Sequence, residues 1–224
     1  MLARATRGGR KRHERDPQRT RERLVRSAFQ EVYRSGFQSA SVDNILASTA
    51  VTKGALYHHF DSKESLGHAV IDEVIAGMGR DKWQVPLATC ADPIETLIGI
   101  VEGSSLRPAD IRGGCPLNNL AQEMSPLDEQ FRKRLAREFR VWREAIAAAL
   151  SRGQSEGTVR RDLDAGETAG FLVAVYEGYV SLAKTAQDAK VLKEGIRNIT
   201  NWLDSLRNVK KVSSRARKGR NVQR

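Results

Sequence analysis

The sequence has few cysteines and no long apolar run, and each shortage excludes a class of protein. Two cysteines, Cys90 and Cys115, cannot make a disulfide framework and do not form a C-x-x-C pair. We expect free thiols in a reducing cytosol, with a redox switch as the alternative. The apolar run at 171–176 is far shorter than the roughly 20 residues of a membrane span, and no apolar run follows the basic start. These absences predict a soluble cytoplasmic protein that does not bind a membrane.

Signatures of catalysis and of cofactor binding are also missing. No Ser/His/Asp set, paired acid motif or glycine-rich phosphate loop stands out, so neither an enzyme nor a cofactor is predicted. His58, His59, Asp61 and Glu64 lie close together in the sequence, as metal ligands often do. However, His58 and His59 diverge by about 100° on a helix, so they do not converge on one ion. No metal site is predicted.

Positive charge is concentrated at the two ends of the chain. The formal net charge is +11, and residues 1–26 hold ten Lys or Arg against three acids, while residues 207–224 hold eight against none. The rest of the chain holds 20 basic and 24 acidic residues. Residues 1–17 and 209–224 lack apolar periodicity, so we predict two disordered basic arms. Such arms follow phosphates or enter a minor groove beside a DNA site, and the alternative is a solvated tail.

Residues 41–60, SVDNILASTAVTKGALYHHF, predict two short helices joined by a tight turn. Ser41 and Thr52 are the expected N-caps of the two helices. On the second helix, a rotation of about 100° per residue places Leu56 and Phe60 on one side. The opposite side then combines charge, small size and planar groups, in Lys53, Gly54, Tyr57 and His58.

This outward face is unusual for a helix that meets only solvent. Gly54 destabilises a helix by about 1 kcal/mol relative to Ala, and close approach of another backbone is the usual reason for such a glycine. Lys53 brings positive charge, and Tyr57 and His58 bring planar groups that can donate hydrogen bonds. A helix in the major groove touches phosphates and base edges with such groups. We therefore predict a DNA-binding helix-turn-helix.

The run from Gly36 to Leu66 resembles the N-terminal DNA-binding domain of TetR-type transcriptional regulators. The similarity is strongest in VTKGALYHHF, residues 51–60, and in KESL, residues 63–66. The resemblance implies an all-α protein, with a three-helix helix-turn-helix domain at residues 18–66. A helical bundle at residues 67–208 would then bind a ligand and dimerise. The implied partners are a double-stranded DNA operator, a small-molecule effector and a second copy of the chain.

The resemblance also implies which residues lie at the DNA. One departure from the family is Ala50, because a glycine usually stands at that point of the turn. We expect Ala50 either to adopt a left-handed conformation or to alter the turn. The predicted function is a repressor that a small molecule releases from its operator, and the alternative is a sequence-neutral DNA-coating protein that uses the basic arms. The predicted DNA-binding residues are Ser41, Thr52, Lys53, Gly54, Ala55, Tyr57, His58 and Lys63, of which Ser41 and Lys63 would anchor phosphates.

Apolar periodicity predicts further helices. Before the turn motif, a helix is expected at about 18–35, and Asp61 with Glu64 is the predicted capping pair of a helix that ends in the middle eighties. Later helices are expected at about 93–105, 116–124, 128–156 and 165–188, with a loop at 106–114. The last helix carries a seam spacing at Leu192, Ile196, Ile199, Leu203 and Leu206. With the apolar helix before it, this seam predicts a four-helix contact across a two-fold axis, and the alternative is a monomeric bundle.

Effector contacts are predicted from residues that offer shape with at most one polar group. The candidates are Cys115, Phe139, Trp142, Tyr176 and Tyr179, and the alternative is that they form ordinary core. The segment GGCPLNNLAQEMSP, residues 113–126, is similar to one found in a subset of TetR-type regulators. Its polar residues Asn118, Gln122 and Glu123 project away from the apolar stripe, which favours a solvated face.

Overall fold

The computed structural model describes residues 16–208, so residues 1–15 and 209–224 of the predicted basic arms lie outside the described residues. The remaining end of the first arm belongs to a helix, α1, which spans Pro17–Ser35. Asp16 caps this helix by accepting hydrogen bonds from the N–H groups of Gln18 and Arg19. Pro17 suits the first helical position because the helix needs no N–H there.

The first three helices form the N-terminal head. Helix α1 is followed by α2 at Val42–Ala47 and by α3 at Lys53–His59. Leu24, Ile45 and Leu56 from the three helices are at most 2% exposed and meet in the middle of the head. The predicted three-helix domain therefore closes around one apolar centre contributed by each helix.

The turn between α2 and α3 contains the predicted departure from helical geometry. Ala50 has φ 52°, so this alanine adopts the left-handed conformation rather than altering the turn. Such a conformation costs a non-glycine residue about 1–2 kcal/mol. Ala50 is exposed, and the side chain of the preceding Thr49 is buried and accepts a hydrogen bond from the N–H of Val51 at 3.3 Å. The turn is thus held from within the head.

A long helix, α4, at residues 63–88 joins the head to the rest of the chain. It contains two π-helical segments, Val70–Ile75 and Arg80–Gln84, between α-helical ones. The predicted capping pair is wrong by one residue, because Ser62 is the N-cap and exchanges hydrogen bonds with Ser65 at 3.1 and 3.2 Å. Each serine hydroxyl accepts a hydrogen bond from the backbone N–H of the other residue, which closes the box reciprocally. The predicted boundary between domains, after residue 66, falls inside α4.

Six further helices form the body. Five of them follow the predicted periodicity, whereas the predicted loop at 106–114 contains a short helix that Pro108 begins and Gly114, with φ 69°, ends. The helices are α5 (Pro93–Glu102), α6 (Pro108–Gly113), α7 (Pro116–Met124), α8 (Glu129–Glu156), α9 (Ala165–Ala186) and α10 (Ala189–Ser205). Within residues 16–208, no helical segment combines the length and the sustained hydropathy of a bilayer span.

The apolar stripe of α10 does not form the predicted seam with a second copy. Leu192, Ile199, Leu203 and Leu206 are at most 5% exposed in a single chain, because α10 packs on α5 and α9. The interpretation of this stripe as a two-fold seam is therefore wrong. Two of the large apolar side chains that stay exposed lie on α9, where Phe171 is 53% and Leu182 is 59% exposed.

Candidate DNA-reading face and effector cavity

Helix α3 turns one face inward and the other to solvent, as its periodicity predicts. Leu56 and Phe60 are buried in the head. Thr52 caps the helix, because its hydroxyl accepts a hydrogen bond from the N–H of Ala55 at 3.2 Å. The predicted orientation is confirmed by the exposed set of Thr52, Lys53, Gly54, Tyr57 and His58, which we call the α3 outer face.

The surroundings of Gly54 bear on why a glycine is present. A Cβ atom added at Gly54 would meet nothing within 4 Å. Packing within this chain therefore does not require a glycine at this position. Since glycine weakens a helix, a closely approaching partner outside the chain is the remaining physical reason for it.

Ser41 and Lys63 flank the α3 outer face, to which Lys53 belongs. Ser41 caps α2 by accepting from the N–H groups of Asp43 and Asn44. Lys53 lies 3.6 Å from the Asp43 carboxylate, but both side chains are well exposed, so this ion pair is weak. The Lys63 ammonium donates to the carbonyl oxygen of Gln38 at 3.0 Å, which holds it at the edge of the head. An ammonium has three donors, so Lys63 can also bind a phosphate.

The two neighbouring histidines of α3 do not converge on a common point. The rings of His58 and His59 stand 5.6 Å apart between centroids, at an angle of 63°. Within residues 16–208, no group of three or more His, Cys, Asp or Glu side chains is arranged to hold a metal ion. The helical divergence of the two histidines accounts for this arrangement.

A cavity of about 470 Å³ lies between α4 and the body helices α6, α7, α8 and α9, and residues of α1 also line it. Three of the five predicted effector contacts, Cys115, Trp142 and Tyr176, line it. Phe139 does not line the cavity, because it stacks on Trp142 with 6.3 Å between ring centroids. Tyr179 packs on α10 and accepts a hydrogen bond from Asn198 at 3.0 Å.

Aromatic rings form one wall of this cavity. The ring of Trp83 lies 4.9 Å from that of Trp142 and 5.5 Å from that of Tyr176, measured between centroids. The Tyr176 hydroxyl accepts a hydrogen bond from the Lys82 ammonium at 2.7 Å and lies 2.9 Å from the Ser104 hydroxyl. The wall therefore offers flat apolar surface beside one cluster of polar groups.

Two ionisable groups of the cavity have shifted pKa values. Burial raises the pKa of the Glu177 carboxyl, and the neighbouring Cys115, Lys82 and Asn118 groups offset only part of this effect. Burial, together with the charge of Glu177, raises the pKa of the Cys115 thiol to about 12. A thiol with such a pKa carries almost no thiolate at neutral pH, which argues against the redox alternative at Cys115. The sequence signal for Glu177 was a single acid within the apolar stretch 171–183 of α9.

Helix α7 runs from the cavity to the head. At its start, Cys115 and Pro116 line the cavity. At its end, the Glu123 carboxylate accepts hydrogen bonds from the backbone N–H groups of Phe37 and Gln38, each at 2.8 Å. These amides follow the end of α1 at Gly36, whose φ is 82°, and they need an acceptor from outside α1.

The predicted solvated face of α7 is wrong for two of its three residues. Glu123 binds the head, and Asn118 donates a hydrogen bond to the Ser181 hydroxyl at 3.2 Å. Gln122 alone of the three is exposed, and it donates to Asn118. The partners of Glu123 and Asn118 are more than 60 residues away in sequence, so local periodicity could not predict these contacts.

A second connection between head and body runs through α4. Arg21 of α1 makes a bidentate pair with Glu73 of α4, at 2.6 and 2.7 Å. The preceding residue of α4, Asp72, binds Arg134 and Arg137 of α8. Bidentate arginine pairs fix orientation as well as distance. Movement of α4 relative to α8 would therefore also move α1.

Two family models match the chain. The model described as "Bacterial regulatory proteins, tetR family" matches residues 24–70, and the one described as "Tetracyclin repressor-like, C-terminal domain" matches residues 94–199. These ranges coincide with the head and with most of the body.

Curated proteins and solved structures show the same similarity. The chain is 28% identical over 181 residues to the HTH-type transcriptional repressor DhaR of Mycobacterium sp. strain GP1, covering 78% of this chain and 87% of that protein. It is 32% identical over 176 residues to an HTH-type transcriptional regulator in the lacX 3' region of Lactococcus lactis, covering 78% and 88%. A TetR transcriptional regulator from Chloroflexus aurantiacus superposes with a TM-score of 0.76 at 29% identity, covering 86% of this chain and 98% of that one.

Proposed function

We propose that this chain, which belongs to the TetR family, is a homodimeric repressor that a small molecule releases from its operator. Its family membership makes it a ligand-responsive, DNA-binding transcriptional regulator. Regulators of this family bind DNA operators and small-molecule effectors, usually as dimers. The proposal assigns DNA reading to the α3 outer face, effector binding to the body cavity, and the connection between them to α7 and α4.

The single observation that carries the DNA assignment is the composition and exposure of the α3 outer face. Lys53 supplies charge for a phosphate, and Tyr57, which is 44% exposed, presents a ring and a hydroxyl. Thr52 and His58 add groups that can bind phosphates or base edges. Gly54 lets the DNA backbone approach, and the methyl group of Ala55 can contact a thymine methyl. Ser41 and Lys63 would anchor phosphates on either side.

A second copy of the chain would cover the exposed apolar stripe of α9. Phe171, Ala174, Gly178 and Leu182 are exposed and recur at steps of three or four residues, so they share one side of the helix. Phe171 also packs on Trp202 of α10, with 4.9 Å between ring centroids, which extends the stripe. Two heads related by a two-fold axis can read paired half-sites separated by about 34 Å or a multiple of it.

Release from DNA would follow from the position of α7. A ligand that fills the cavity meets the first turn of α7 at Cys115 and Pro116, while Glu123 at the other end holds the loop that leads into α2. A ligand shifts an equilibrium by binding one arrangement more tightly than another. Ligand binding that favours a displaced α7 would therefore move the head of each copy. The distance between the two α3 helices of the dimer would then no longer match the two half-sites.

The proposal is tested by selecting bound fragments from genomic DNA and measuring their affinity by fluorescence anisotropy at fixed salt. Lys53→Ala and Tyr57→Ala should each weaken binding to the selected site by about 1–3 kcal/mol. The control is Lys133→Ala, an exposed lysine on α8 that does not belong to the α3 outer face, which should leave affinity unchanged. Unchanged affinity in the first two variants would remove the assignment of α3.

The same assay separates a specific repressor from a DNA-coating protein. Deleting residues 1–15 and 209–224 removes 13 of the 38 Lys and Arg residues and one of the 27 acids, which changes the formal net charge from +11 to −1. A repressor should keep its preference for the selected site while its affinity becomes less dependent on salt. A coating protein should lose most of its binding to every fragment.

A further inference from the structure

One carboxylate in the body cavity lacks a partner. Three acids line the cavity, and two of them are paired: Asp110 with Arg107 at 2.7 Å and Glu138 with Arg137 at 2.9 Å. Glu177 is 7% exposed, and neither of its carboxyl oxygens makes a hydrogen bond of normal geometry with residues 16–208, although the Cys115 thiol and the Asn118 amide lie beside it. A buried carboxylate without a partner is strongly unfavourable, so this site is chemically incomplete as the chain alone forms it.

The wall beside Glu177 is suited to a positive charge. Tyr176 precedes Glu177 on α9, and its ring, with those of Trp83 and Trp142, forms the aromatic wall. The Lys82 ammonium lies 4.9 Å from the centroid of Tyr176 and 5.4 Å from that of Trp83, so the chain already places a cation against these rings. Aromatic faces attract cations, and a desolvated site strengthens the attraction.

We propose that the effector is a small organic cation, an ammonium group on an apolar or aromatic body, whose N–H groups bind Glu177 while the body lies against Trp83 and Trp142. This inference rests on the proposed function, because it takes the cavity as the effector site. The cavity, at about 470 Å³, falls within the usual range for small-molecule sites. The ligand would supply both the missing donors and a charge opposite to that of Glu177.

An anionic effector fits the cavity less well. The one basic side chain among the lining residues is Lys82, which already donates to Tyr176. A carboxylate bound at Lys82 would place a second negative charge near Glu177. The arrangement therefore favours a cation over an anion of the same shape.

Isothermal titration calorimetry on the full chain can test this choice with three probes that share a phenyl group. The probes are 2-phenylethylammonium, 2-phenylethanol and phenylacetate, at fixed salt and neutral pH, and ethylammonium is a fourth probe without the ring. We expect 2-phenylethylammonium to bind about tenfold or more tightly than the alcohol and the carboxylate, which is the usual gain from a charged hydrogen bond. Tighter binding of phenylacetate, or no binding by either ammonium, would overturn the inference.

Two variants locate the recognition. Glu177→Gln should remove the preference for the ammonium, whereas Glu138→Gln should keep it, because the Glu138 carboxylate is already bound by Arg137. Glu177→Gln removes a buried charge, so its urea midpoint should be no lower than that of the parent chain, which shows that it folds. An ammonium preference that survives in Glu177→Gln would contradict the assignment.

Operator release distinguishes this inference from the proposed function. The selected DNA fragment is followed by anisotropy while 2-phenylethylammonium is added. Glu177-dependent binding without release would support the inference and contradict the proposed connection through α7. Specific DNA binding by a chain that binds neither ammonium would support the DNA assignment and overturn the inference.

Discussion

Replacing Glu123 with alanine removes the carboxylate that joins the end of α7 to the loop after α1. Its two partners differ in burial: Phe37 is 5% exposed, whereas Gln38 is exposed. The N–H of Gln38 can therefore bind water in the variant, but that of Phe37 loses its acceptor without full access to solvent. Hydrogen bonds to charged groups contribute about 1.5–3 kcal/mol each, so with one amide rehydrated we expect the free energy of unfolding to fall by about 2–3 kcal/mol.

Urea denaturation at fixed protein concentration measures this loss, and hydrogen exchange locates it at the amides of Phe37 and Gln38. The matched control is Glu129→Ala at the start of α8, where the carboxylate makes exposed ion pairs with Arg132 and Lys133. Loss of exposed pairs should lower stability by less than about 1 kcal/mol. Equal losses in both variants, with unchanged exchange at Phe37, would refute the role of Glu123 as the link between body and head.

Three further predictions concern the turn, the thiols and the dimer. Ala50→Gly relieves a left-handed alanine and should raise the free energy of unfolding by about 0.5–1 kcal/mol. The control Ala136→Gly, on the exposed side of α8, should lower the free energy of unfolding by about 1 kcal/mol. Changes of the same sign for the two variants in urea denaturation would contradict the turn geometry. Because burial raises the pKa of Cys115 to about 12, iodoacetamide at mildly alkaline pH should modify Cys90 before Cys115, and peptide mass spectrometry can follow the order. The opposite order would show an accessible thiolate at Cys115. Phe171→Glu places a charge on the exposed stripe of α9 and should convert dimers to monomers in sedimentation velocity, and an unchanged sedimentation coefficient would move the interface elsewhere.

The α3 outer face was predictable because its geometry is local. Once Thr52 caps α3, the rotation per residue decides that Leu56 points inward and Tyr57 outward, with no information from the rest of the chain. The position of a cap is less certain when several polar residues compete for it. That is why Ser62 rather than Asp61 begins α4.

The body was harder to predict, because its features depend on distant partners. The 3–4 spacing on α10 identifies a buried face, but not whether another helix of the same chain or a second copy buries it. Phe139 and Trp142 lie on the same helix, and the packing of α8 decides which of them faces the cavity. The sequence shows Glu177 as an acid on an apolar helix, but its position in the cavity depends on how neighbouring helices pack.

The most direct test of the central claim is to enlarge Gly54, since this chain leaves the space beside it empty. Gly54→Leu should keep or raise the free energy of unfolding, because leucine is the better helix former and its Cβ meets nothing within 4 Å. The same variant should lose at least about tenfold in affinity for the selected operator, because the new side chain blocks the approach of the DNA backbone. A stable variant with lower operator affinity is the predicted result, and a stable variant that binds the operator as tightly as the parent chain would contradict the claim that this face reads DNA.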